Sequence, residues 1–308
     1  MKKVSLLVLA LSLTVVSVVS AKDSSSARTI NIDPQVKITK EQNGLVNPVK
    51  NVESLNSNQI NKILEEMNFT EKEIGEIPVD IKKQLVTRGG KSAELKQETQ
   101  QFYRSLDGKR YEITEQNKEE IEKIKKADKE KLLGKESEIS TLGMDSKTDG
   151  IFSVKGIMAL YGETSSEYKY DYWTWYEWNG VPNFYLKDSI AQSWQSFAVS
   201  VSSNGAHNRQ AYCTNPSEQQ YPYAVKPSVT GSQASFDLYG SGCKQYGALH
   251  DDIRIPKSQK GNTGTYISSY AHPYVNSLLR AILGILSITW PDYVGDEYNL
   301  RHTFEIGK

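Results

Sequence analysis

Apolar positions change period near the middle of this chain. Ile60, Ile63, Leu64 and Met67 fall at i, i+3, i+4 and i+7 and predict a helix. Thr70 with Glu73 forms a capping box that opens a second helix. Pro78 starts a third, which carries Ile81, Leu85 and Val86 and stops at Gly89-Gly90. Residues 91–105 and 115–140 also favour helix, with Arg110–Ile113 as a short strand between them, and residues 22–54 read as irregular. After Gly150 the period becomes two. Phe152, Val154 and Ile157–Tyr161 predict one strand, and Glu167–Trp178 a second. In the second, Tyr168, Tyr170, Tyr172, Thr174, Tyr176 and Trp178 share a face, while Trp173 and Trp175 lie opposite with Glu167, Lys169, Asp171 and Glu177. Asn179-Gly180 ends it in a turn.

Further strands are predicted at 197–201, 210–213, 234–239, 252–255, 265–271 and 300–306, with a helical turn over Asp188–Trp194. The run Leu278–Trp290 suits a core strand or a buried helix. Short strands parted by Gly and Pro make the chain mainly β. The expected fold is a C-terminal antiparallel β-sandwich or barrel over 144–308, preceded by a charged, mostly helical segment over 22–143.

Composition sharpens that division. From Lys22 to Gly143, 44 of 122 residues are charged, against 28 of the 165 that follow, and the second part holds all five Trp and 16 of the 18 Tyr. Chemistry is therefore expected in the second part. The first part has too few apolar residues for a strong core of its own. Its lysines at 123, 125, 126, 129 and 131 precede a Ser/Gly-containing connection over 137–150, which makes 22–143 a candidate pro-segment.

Residues 1–21 read as a secretory signal peptide: Lys2 and Lys3, an apolar run from Val4 to Val19, then Val19-Ser20-Ala21 before the cleavage point. That run is shorter than a spanning helix needs, so no transmembrane segment is expected in the mature, secreted chain. In an oxidising compartment Cys213 and Cys243 are expected to form a disulfide. Net charge is zero, which removes the basic field that nucleic-acid binding requires.

No G-x-S-x-G, H-E-x-x-H, P-loop or paired C-x-x-C is present, and no reaction or cofactor is assigned. Tyr168, Tyr170, Tyr172 and Tyr176 are expected in the core. Trp173 and Trp175 share the charged face and either form the candidate ligand platform, since indole faces stack on sugar rings, or lie under a neighbouring loop. His250 and Asp252 share a strand face, with Asp188, Asp237 and His272 as distant partners for a metallohydrolase-type site. Asp292, Asp296 and Glu297 form an acidic loop of the kind that can hold Ca²⁺, although a solvated turn is the default and no metal is assigned. The expected function is non-catalytic binding of an extracellular partner such as a glycan, cell-wall material or a cell surface. A secreted hydrolase made as a precursor and a membrane-active toxin are the alternatives.

Overall fold

A computed structural model describes residues 27–133, 152–210, 218–220 and 228–308. The signal peptide, the 137–150 connection and Cys213 lie outside the described residues. The chain opens with β1 (Arg28–Asn31) and β2 (Lys37–Lys40), then helices α1 (Ser57–Glu66), α2 (Glu71–Glu76) and α3 (Val79–Arg88). Next come β3 (Lys91–Ser92), β4 (Lys96–Arg104), β5 (Arg110–Ile113) and α4 (Lys118–Leu133). The rest is β: β6 (Phe152–Glu163), β7 (Glu167–Trp178), β8 (Lys187–Trp194), β9 (Val199–Gln210), β10 (Glu218–Gln220) and β11 (Gly231–Asp237). It ends with β12 (Lys244–Pro256), β13 (Thr263–Pro273), β14 (Ile282–Gly284), β15 (Ser287–Thr289) and β16 (Gly295–Glu305).

Two six-stranded antiparallel sheets result. The first has the order β10-β9-β12-β7-β6-β3 and the second β11-β8-β13-β16-β4-β5. Among the described residues neither closes on itself. Their facing sides meet through aromatic residues: Tyr172 stacks on Tyr266 at 4.4 Å, and Trp178 Nε1 donates to Tyr270 Oη at 2.9 Å. Tyr168, Tyr170, Tyr172 and Tyr176 are all buried there, as their period predicts.

The three predicted helices form where expected. Asn56 and Thr70 cap α1 and α2 with reciprocal capping boxes. Gly89 and Gly90 both have left-handed φ, and a Cβ on Gly90 would stand 2.4 Å from the Leu160 carbonyl oxygen. Only glycine lets the chain leave α3 so close to β6.

Several expectations are corrected. Asp188–Trp194 lies in strand β8, where Asp188, Ile190, Gln192 and Trp194 alternate inward; period two overrides the cap signal. Residues 96–104 form β4 instead of helix, because they pair with β16 from Thr303↔Lys96 to Gly295↔Arg104. The segment 28–40 is a hairpin, its turn held by Asp33 Oδ1 accepting from the amides of Gln35 and Val36. Asn204-Gly205, expected from its Asn-Gly pairing to separate two strands, is instead mid-strand in β9, where a Gly205 Cβ would crowd the Ala234 and Phe236 side chains at 3.3 Å. Leu278–Trp290 is neither a core strand nor a helix but contains the small β14–β15 hairpin. The change in composition near residue 144 does not divide the sheets, since β3 extends the first and β4 and β5 extend the second.

Candidate ligand-binding site

The outer face of the first sheet carries Trp173 and Trp175, and the β1–β2 hairpin and α1–α3 cover it. Ile60, Ile63, Leu64, Met67, Leu85 and Val86 belong to one apolar cluster with Ile157, Trp173 and Trp175. The two indoles are 2% and 3% exposed. An exposed Trp platform is therefore not formed. The helices cannot bury their apolar stripes on one another alone, and the Trp pair is the floor they use.

A polar latch closes the edge of this contact. Arg88, at the end of α3, places Nε 2.8 Å from Asp171 Oδ2 and Nη2 2.8 Å from Asp252 Oδ2. Its guanidinium lies 4.1 Å above the Tyr161 ring, whose hydroxyl donates to Asp252. Arg254 also donates to Asp252. Burial alone would raise the Asp252 carboxyl, but the hydrogen bonds from Arg88, Tyr161 and Arg254 hold it below the usual range. His250 stacks on Trp173 at 4.2 Å; its Nε2–H donates to Asp171 at 2.8 Å while Nδ1 accepts from Asn204 at 3.1 Å. His250 and Asp252 do share a face, as expected, but each is already partnered.

The second group of sequence candidates lies at one end of the space between the sheets. His272 Nδ1–H donates to Asp188 at 2.9 Å, and Tyr270 donates to the same carboxylate. Burial holds Asp188 above the ordinary carboxyl range despite the opposing influence of His272. Asp296 takes an ion pair from the buried Lys125 of α4 at 2.8 Å and a hydrogen bond from Tyr274 at 2.5 Å. Glu297, one residue on, points to the other face and pairs with Arg110 at 2.7 Å. Asp296 and Glu297 thus do not converge as a Ca²⁺ loop would require. Asp237 lies apart and pairs with Lys187. The void beside His272 is about 10 Å³, too small for a substrate. Among the described residues no Ser or Thr is hydrogen-bonded to His250 or His272, and no trio of His, Cys, Asp or Glu is placed to hold a metal ion.

A cleft of about 720 Å³ lies at the opposite end. The β3–β4 connection, the start of β13, the end of β16 and the α1–α2 turn enclose it. Lys91, Lys96 and Lys308 contribute cations, Thr263 and Thr303 hydroxyls and Asn68 an amide, while the Phe304 ring is buried in the core beneath. Glu94 and Glu305 are also in its wall, and Glu94 is paired with Lys308 at 3.2 Å. Burial holds the Lys91 ammonium below the ordinary lysine range, and its Nζ donates to the Asn43 carbonyl at 2.9 Å. No local motif marks these residues in the sequence, because the cleft is assembled from segments about 200 positions apart.

Among the described residues no helix is long and apolar enough to cross a membrane. No protein-family model matches the chain, and no curated protein matches it. Among solved structures, the collagen-binding domain of surface protein RspB from Erysipelothrix rhusiopathiae is similar over 47% of this chain, with 5% identity and a TM-score of 0.25. The similar region spans about half, 55%, of that domain. The membrane-inserted form of the Clostridium perfringens NetB toxin is similar over 69% of this chain and 97% of its own, with 7% identity and a TM-score of 0.24. Likenesses this distant carry no argument about ligand or mechanism, and the cleft has to speak for itself.

Proposed function

We propose that this protein is an exported, non-catalytic β-sandwich binding domain, stapled by a Cys213–Cys243 disulfide, whose partner is a glycan or cell-wall polymer held in the cleft. The cleft carries the reading. Its volume is in the range that ligand sites occupy, and a wall of ammonium groups, hydroxyls and an amide suits a polyhydroxylated, anionic chain. Lys91 adds a specific incentive: a partly desolvated ammonium with a carbonyl partner gains from an incoming anion. Among the described residues neither His250 nor His272 has a hydroxyl nucleophile on its imidazole, which favours binding over hydrolysis. In this reading residues 28–113 remain with the binding domain, because their loss would strip strands from both sheets.

Co-sedimentation with purified cell-wall material tests the proposal. The double variant Lys91→Ala/Lys96→Ala should bind at least about tenfold more weakly, a loss of roughly 1.4 kcal/mol, with its melting temperature nearly unchanged. Wild-type protein that stays in the supernatant, or a double variant that sediments with the wall material equally well, would refute it.

A further inference from the structure

The outer face of the second sheet is covered by much less chain. Leu279, Ile288 and Trp290 from the β14–β15 region pack on Ala191 and Ala271. The other side of that hairpin is apolar too: Leu278 is 70% exposed, Ile282 62% and Ile285 57%. Val229, 87% exposed, lies alongside, next to Thr230, whose hydroxyl donates to the Leu283 carbonyl at 3.1 Å. The pairing Gly284↔Ser287 makes Ile285 and Leu286 the two central residues of the turn, and Leu286 has φ of +50°. Glycine and asparagine suit that left-handed position, and a leucine there is strained. Ser193 fixes the turn from beneath, donating to the Gly284 carbonyl at 2.6 Å and accepting from the Ser287 amide at 3.2 Å. Fold stability and solubility would both favour a polar turn here.

We propose that this patch is a docking surface for an anionic lipid bilayer. Two observations favour lipid over a protein partner. Four such side chains present on the order of 400 Å², about half of what one side of a stable protein–protein interface buries. From Pro273 to Pro291 the chain holds no carboxylate and a single exposed cation, Arg280. Apolar side chains that enter the headgroup boundary beside a guanidinium, with no repelling carboxylate, match an anionic interface.

The test uses the exported form from Lys22 onward, centrifuged with vesicles of phosphatidylglycerol and phosphatidylcholine in equal parts and with phosphatidylcholine alone. Wild-type protein should bind the anionic vesicles, and Ile282→Ser/Ile285→Ser should weaken that binding roughly tenfold without shifting the melting temperature. Leu278→Ser, on the most exposed part of the segment, should weaken it severalfold and serves if the double variant fails to fold. Arg280→Gln should reduce the salt dependence of binding. Wild-type protein that stays in the supernatant overturns the proposal. So do folded variants that bind as wild type does, or a protein dimer that forms through the patch while vesicles remain unbound.

Discussion

The two sheets solve the same problem, covering an apolar outer face, in different ways. Over the first sheet a helical cap brings its own apolar stripes and a set of complementary charges. Asp171 meets Arg88, Lys155 meets Glu76 at 2.9 Å, and Tyr246 donates to Asp80 at 3.0 Å. Over the second sheet the β14–β15 hairpin packs one side inward and leaves the other side apolar and exposed. A cover that buries its own apolar stripes and pairs the charges beneath it is structural. A cover that presents new apolar surface is a place for contact.

The largest expected effect breaks the comparison if it fails. Trp173→Ala and Trp175→Ala should each destabilise the chain by about 3–5 kcal/mol in urea unfolding, as large-to-small changes in a core do. Ile282→Ser and Ile285→Ser should stay within about 0.5 kcal/mol of wild type. Next comes the latch: Arg88→Met leaves Asp171 and Asp252 without their shared cation and should cost about 2–3 kcal/mol, read from the same unfolding curves.

The helices of the cap were legible because caps and apolar spacing are local signals. The burial of the Tyr row in β7 was legible from period two alone. The role of its Trp face was not. Asp171 and Glu177 made that face look solvated, yet Arg88 and Lys244, 83 and 67 positions away, neutralise them. Strand β4 was read as helix because Lys96–Gln101 is exposed and polar throughout, with no alternation to detect. Its pairing partner β16 lies some 200 residues away and supplies the strand geometry. The cleft was hidden for the same reason.

The interior shared by both walls offers a control that involves neither cover. Burial brings His207 down to about 4 and His302 down to about 3, and pushes Asp251 up to about 6. The unfolded histidines protonate near 6.5, so each contributes stability above that pH which is lost as pH falls toward its folded value. Asp251 acts in the opposite sense: its contribution is complete below 3.8 and is lost as pH rises through about 6. Between pH 7 and pH 5 the two histidines outweigh the one carboxyl, and stability should fall by about 2 kcal/mol. A urea-unfolding series across that range checks the sign. The smallest effect sharpens the same point. Both ring nitrogens of the buried His302 lack hydrogen-bond partners, so His302→Leu should stabilise by about 1 kcal/mol and flatten the acid side of that profile.

The contrast between a sealed wall and an open one is most directly tested by hydroxyl-radical footprinting of the native protein, read residue by residue. Trp173 and Trp175 should be protected, although indole is far more reactive than an alkyl chain, while Leu278, Ile282 and Ile285 should be modified along with the exposed Tyr185. Oxidation of the two tryptophans as fast as Tyr185, or protection of the hairpin in the isolated monomer, would contradict the account.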